Sequence, residues 1–133
     1  LLEAILAGWE ENATDAYIRR LDSEHADSGE KLVELFLADE PDAPIIDLEF
    51  AIRQWGRRDN KAAARIRAVD ARRLDYLVGL LRDLGYGGED AMERALAIYS
   101  LEAGAATILL EGSLQDWRNR FRNCLQLILQ VAP

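Results

Sequence analysis

The sequence predicts an all-α protein, an antiparallel bundle of about six helices whose last two form half of a four-helix dimer interface. Three observations point there. Apolar residues recur at steps of three and four over long stretches, only three prolines interrupt 133 residues, and no run of β-branched residues alternates at the two-residue period of a strand. Half of the side chains are hydrophobic, enough for one domain, residues 1–133, to bury a core without disulfide or metal staples.

The first helix is expected from Leu1 to about Glu24, with Leu2, Ile5, Leu6, Trp9, Ala13, Ala16, Tyr17 and Leu21 on one stripe and Glu3, Glu10, Glu11, Asp15 and Arg19 on the solvated side. Because the chain opens in mid-pattern, without methionine, a preceding segment is expected. Residues 25–29 are polar, and Ser28 is the expected N-cap of a short second helix to about Ala38 that buries Leu32, Leu35 and Phe36. Pro41 and Pro44 then impose a turn. A third helix, about Ile45 to Arg58, is apolar around most of its circumference and is expected inside the bundle. The fourth, about Ala62 to Leu84, buries Ile66, Val69, Leu74, Leu77, Leu81 and Leu84; Asp59 is placed to cap its start and Gly85 to stop it.

The fifth helix, Glu89 to Leu110, is apolar on two sides. Met92, Leu96, Tyr99, Ala103 and Ala106 line one, and Ala91, Ile98, Leu101, Ala105 and Ile108 the other. One subunit's core covers one side of a helix, so the second side asks for a partner. An interior Gly104 costs about 1 kcal/mol relative to Ala, which is understandable where two backbones approach closely. The last helix, about Ser113 to Gln130, follows a turn at Gly112 and carries Leu114, Trp117, Phe121, Cys124, Leu125 and Ile128 in one stripe. Two such hairpins (residues 89–130) meeting about a two-fold axis make a four-helix bundle. The expected interface is Leu96, Ala103, Ala106, Leu110, Leu114, Trp117, Phe121, Leu125 and Ile128.

A formal net charge of −8 repels phosphate backbones, so these residues by themselves are not expected to contact DNA. One cysteine, Cys124, and one histidine, His25, leave out disulfides, cysteine-rich zinc clusters and His-based triads. No apolar run approaches the roughly 18–20 residues of a membrane span, and a cytoplasmic location is expected. With no Gly-rich phosphate loop, no Gly-x-Ser-x-Gly and no pair of Glu-x-x-His motifs, neither an enzyme nor a cofactor is expected.

Two segments carry a resemblance. Leu48-Glu49-Phe50-Ala51-Ile52-Arg53-Gln54-Trp55-Gly56-Arg57-Arg58-Asp59, then Ile66 to Leu77 with Val69-Asp70 and Arg72-Arg73-Leu74, and Leu81-Arg82-Asp83-Leu84-Gly85, resemble the central segment of many tetracycline-repressor (TetR) family regulators, Gly56 standing where alanine is more usual. Leu1 to Leu6 looks like that family's connecting helix (residues 1–24 here) just after its helix-turn-helix. The resemblance implies a homodimeric transcriptional regulator, usually a repressor, whose DNA-reading head precedes Leu1. A small lipophilic effector then shifts the population away from the DNA-competent arrangement.

On that plan Trp9, Phe36, Phe50 and Tyr99 are candidate apolar lining for an effector pocket, with Glu49 and Arg53 as its polar fixtures. Each also has a plainer reading. Aromatics at helical spacing are usually core, and Glu49 with Arg53 can be an i, i+4 ion pair, the favoured reading. Asp70, Arg72 and Arg73 either bond the Arg57-Arg58-Asp59 corner, the favoured reading, or form a solvated charged face. The alternative to a regulator is a helical dimerisation module without a ligand.

Overall fold

The computed structural model describes residues 1–37, 43–108 and 111–130, except the side chains of 36, 37, 43–46 and 114. Among the described residues the fold is an all-α helical bundle with no strand: α1 (Leu2–Glu10), a π-helical segment (Glu11–Asp15), α2 (Ala16–Glu24), α3 (Ser28–Leu37), α4 (Ala43–Gly56), α5 (Asn60–Asp83), α6 (Gly88–Thr107) and α7 (Leu114–Ile128). The backbone stays right-handed from α1 through the π segment into α2, so these three correspond to the single first helix expected. No helix among the described residues is long and apolar enough to cross a membrane. The chain divides into two compact units, Leu1–Ala26 with Asp39–Asp75, and Asp27–Ala38 with Tyr76–Pro133.

In the first unit Leu6, Trp9, Ile52, Ile66 and Val69 form the core, with Ala13 and Trp55 packed against it. The π segment explains how the long first helix keeps one face inward. On an uninterrupted α-helix Leu21 would stand roughly 60° around the axis from Leu6. One extra residue in the turn, marked by the Ala16 N–H bonding the Glu11 carbonyl five residues back, turns α2 back so that Thr14 and Leu21 are both buried. Leu2 and Ile5, expected on the buried stripe, are exposed.

Helix α4 departs from expectation. It does not sit inside the unit: Ile52 is buried, while Leu48 is 39% and Phe50 52% exposed. A 14-residue helix that is apolar most of the way round cannot turn every face to one small core, so part of it stays at the surface. Asp59 caps α5 as expected, its Oδ1 accepting the Ala62 N–H at 2.9 Å, and Gly56 admits the tip of Ile66. A Cβ at position 56 would fall well inside contact distance of Ile66 Cδ1.

The second unit is built on Leu32 of α3, Leu77, Val78, Leu80 and Leu81 of α5, Ala91, Ala95 and Ile98 of α6, and Leu125 of α7, all buried. Asp27 rather than Ser28 starts α3: its Oδ1 accepts the Glu30 N–H at 3.1 Å, and the Ser28 hydroxyl donates instead to Asp83. Gly85 (φ 104°) ends α5 in a Schellman motif, with Tyr86 N–H on the Leu81 carbonyl and Gly85 N–H on that of Arg82. Ser113 caps α7 by accepting the Asp116 N–H at 3.1 Å.

The far end of α7 is closed by side chains. Arg94 donates to the Ile128 carbonyl and, at 2.6 Å, to that of Gln130, while the Tyr86 hydroxyl donates to the Leu129 carbonyl. A cation placed on free carbonyls at a helix C-terminus satisfies them and opposes the dipole. Because Arg94 lies near the start of α6, this contact also fixes α6 and α7 as antiparallel.

Candidate functional site

The first unit brings together a polar cluster that crosses three helices. Glu49 on α4 accepts from Arg73 Nη2 at 2.7 Å and from the Trp9 indole N–H at 3.2 Å, with Arg53 Nε 3.6 Å away. Arg53 in turn grips Asp70 with both terminal nitrogens, at 2.7 and 3.1 Å. Arg73 completes the arrangement. Its Nε donates to Thr14 Oγ1 at 3.0 Å and its guanidinium lies 5.6 Å from the centre of the Trp9 ring.

Two cations and two carboxylates leave the cluster neutral. Burial pushes the Glu49 carboxyl up, but the Arg73 hydrogen bond and charge, the Arg53 charge and the Trp9 N–H outweigh it, and the net shift is below the ordinary value. Among the described residues no buried side-chain nitrogen or oxygen lacks a partner. Asp70 pairs with Arg53, Arg73 with Glu49 and Arg72 with Asp15, where the sequence suggested partners at the Arg57-Arg58-Asp59 corner. The α5 face that carries them looks toward α4 and the first helix, where Arg72 lies 3.6 Å from Asp15.

Further along the same seam Arg65 bonds both oxygens of Glu10, at 2.6 and 3.0 Å, and also Glu3. The Arg65 hydrogen bond holds the Glu10 carboxyl below its usual range. The acidic side of the first helix, expected to be solvated, is in part the seam that joins it to α5.

Beside the cluster runs an open groove of about 540 Å3 lined by Ala4, Ile5, Gly8, Trp9, Asn12, Ala13 and Leu48. None of these residues is charged. Nothing lies within 4 Å of where a Gly8 side chain would begin, and the volume is that of a small-molecule site.

Of the expected pocket residues, Trp9, Glu49 and Arg53 meet. Phe50 does not join them, because it stands one residue round α4 from Glu49 and is half exposed. Tyr99 belongs to the second unit, half-buried, and the Phe36 side chain lies outside the described residues. The Glu49–Arg53 pair exists, but Arg53's close partner is Asp70 and Glu49's is Arg73.

The residues of the expected interface differ in exposure. Leu96 is 54% and Met92 43% exposed, and Ala103 and Ala106 are exposed beside them, while Ala91 and Ile98 on the other side of α6 are buried. The second apolar side of α6 is buried in its first half, at Ala91 and Ile98, while Leu101 and Ala105 are half-buried and Ile108 is 57% exposed. On α7, Trp117, Phe121 and Ile128 are half-buried, the two rings 6.4 Å apart. Leu125 is a correction: it is 3% exposed, packed within its own unit and offering nothing to a second subunit. Leu110 and the Leu114 side chain lie outside the described residues.

Comparison of the chain with family models, with curated proteins and with solved structures finds no match. The fold and the side-chain geometry are what bear on function. Thr14 and Arg94 are the residues sequence reasoning did not place, and Asp70 and Arg73 are those it placed at a different corner. The stripe runs on through Ala13, Ala16, Tyr17 and Leu21, so no break in it signals the inserted residue beside Thr14. Arg94, alone among Glu89, Asp90 and Glu93 on its helix, was the signal of a cap.

Proposed function

We propose that this chain is the effector-binding and homodimerisation domain of a transcriptional regulator of the tetracycline-repressor type, most simply a repressor released by a small lipophilic molecule. The outward side of α6 carries the proposal. Met92, Leu96, Tyr99, Ala103 and Ala106 follow one another at steps of four and three, the spacing of a helix seam, with Met92 and Leu96 about half exposed. On this proposal a second copy covers that side, and the small residues at its C-terminal end let the helices close.

The effector, on the same proposal, enters the groove beside Trp9, whose uncharged lining suits an apolar molecule. Release follows if the ligand prefers an arrangement in which DNA-reading heads, joined ahead of Leu1 on the family plan, no longer match half-sites about one helical turn apart. Sedimentation equilibrium of the purified chain tests the base of this mechanism. A dimer at micromolar concentration that becomes a folded monomer on Leu96→Asp is expected, and a monomeric wild type sinks it.

A second reading, a dimerisation module without a ligand, is favoured by one observation. Trp9, Thr14, Glu49, Arg53, Asp70 and Arg73 satisfy one another, so no polar group of the cluster awaits an effector. A thermal-shift screen of lipophilic compounds separates the two: a ligand at a hundred times its Kd raises stability by about 2.7 kcal/mol, and Gly8→Leu, which fills the groove, removes that rise.

A further inference from the structure

Four positions between Leu2 and Glu24 point fully inward: Leu6, Trp9, Thr14 and Leu21 are each buried. Leu6 and Trp9 are three residues apart and Thr14 and Leu21 seven, the spacings of an α-helical stripe, but Trp9 and Thr14 are five apart. Taking one residue out of that turn would leave steps of three, four and seven on an uninterrupted α-helix. The π segment, Glu11–Asp15, is therefore an insertion that the core accommodates and does not need. Single π turns of this kind are rare and collect at functional sites.

The insertion shows on the outside of the helix. Two of its residues, Asn12 and Ala13, line the groove one turn on from Gly8 and Trp9. Asn12 is exposed and makes no hydrogen bond among the described residues. The lining side chains have one other polar group, the Trp9 indole N–H, and Glu49 accepts from it. Charges nearby are matched, Glu11 by Arg19, Arg53 by Asp70 and Arg73 by Glu49. An ionised ligand finds no counter-charge in the groove, and the Asn12 amide is what remains to meet a polar group.

We propose that the π turn is a site-forming insertion and that Asn12 sets what the groove accepts: an uncharged molecule with an apolar body and one hydrogen-bonding group, a hydroxyl, amide or secondary amine. The proposal rests on the effector reading above and adds the ligand's chemical class and the residue that selects it. The body lies against Ile5, Gly8 and Leu48, and the polar group meets the Asn12 amide, which both donates and accepts. An anion of the same shape would lose hydration with no cation to replace it.

The probe is N-phenyl-1-naphthylamine, uncharged and with a single N–H, titrated into the purified chain and followed by its own emission. Its sulfonate, 8-anilino-1-naphthalenesulfonate, has the same rings and a negative charge. Groove binding is the part of either signal that Gly8→Leu removes. The sulfonate is expected to bind there at least about tenfold more weakly. Asn12→Leu is expected to weaken the naphthylamine by about three- to tenfold, and Asn12→Gln, which keeps the amide, to retain more of the affinity. Deletion of Asn12 is expected to leave a folded helical protein by circular dichroism, with an unchanged urea midpoint, that no longer binds the probe in the groove. Equal groove binding by wild type, Asn12→Leu and the deletion variant overturns the proposal and leaves the effector groove standing, as does a sulfonate bound as tightly as the naphthylamine. A deletion variant that does not fold overturns the insertion. A wild type with no binding that Gly8→Leu removes overturns the effector reading and this one together.

Discussion

In the first unit a small apolar core, Leu6, Trp9, Ile52, Ile66 and Val69, is bordered by charged side chains that join the helices: Arg65 on Glu10, Arg72 near Asp15, Arg73 on Glu49 and Thr14, Arg53 on Asp70. In the second, Leu32, Leu77, Val78, Leu80, Leu81, Ala91, Ala95, Ile98 and Leu125 fill the interior, and the polar contacts collect at helix ends, where Asp27, Gly85, Tyr86, Arg94 and Ser113 close backbone groups. The contrast separates two tasks. Directional charge pairs specify register, which a first helix with an inserted residue needs, because a slip by one position would turn Thr14 and Leu21 out. Non-directional apolar contact supplies bulk stability, and it leaves an outward surplus on α6.

Deleting a side chain of each kind sharpens the comparison. Leu81→Ala removes a fully buried leucine of the second unit and is expected to cost about 3–5 kcal/mol, the lost transfer energy plus a cavity. Arg73→Met keeps most of the volume but strips Thr14, Glu49 and the Trp9 ring of one shared partner, for about 2–3 kcal/mol. Urea unfolding measures both. A larger loss from Arg73→Met than from Leu81→Ala would reverse the division of labour drawn here, as would a negligible one. Arg73→Met is also expected to speed amide exchange through Glu11–Asp15, because the clamp on the π segment is gone; unchanged exchange there removes the clamp.

Much of this arrangement was legible from sequence because helices advertise themselves by period. The Leu96–Ala103–Ala106 side of α6, the caps at Asp59 and Ser113 and the stop at Gly85 follow from residue type and spacing alone. The polar cluster was not legible. An arginine at position 73 is equally compatible with solvent, with the Asp59 corner or with Glu49, since its long side chain reaches any of them and only tertiary packing decides. Periodicity likewise assumes an uninterrupted helix, so it placed Leu2 and Ile5 inward and overlooked Thr14. Helix α4 misled in another way: an apolar circumference signals burial only when the chain alone must provide it.

The two units also part company in acid. Glu49 and Glu10 both titrate below the ordinary glutamate value of 4.5 in the folded chain. A depressed folded value means that their contribution is fully present above the unfolded value and is lost as pH falls through and below it. The first unit is therefore expected to weaken below about pH 4.5. Trp9 and Trp55 lie in that unit and Trp117 in the other, so a Trp117→Phe variant makes tryptophan fluorescence report on the first unit alone. Its urea midpoint is expected to fall between pH 6 and pH 3.5 by an amount that shrinks when Glu49→Gln is added. An equal fall with and without Glu49 would take the acid response away from the cluster.

The smallest effect expected is at the corner between α4 and α5. Alanine is the better helix former by about 1 kcal/mol, and Gly56 ends α4 without a positive φ, so propensity alone makes Gly56→Ala stabilising. Packing opposes it, because the new methyl would crowd Ile66 Cδ1 and Ile66 belongs to the core. Forcing a core side chain from its rotamer costs about 1–3 kcal/mol, which outweighs the gain in propensity, and a net loss of about 1 kcal/mol follows. Pairing the change with Ile66→Val, which withdraws the clashing methyl, isolates the cause. In the Ile66→Val background Gly56→Ala should be neutral or stabilising by denaturant titration, whereas a loss equal in both backgrounds places the cost in the backbone and not in the contact with Ile66.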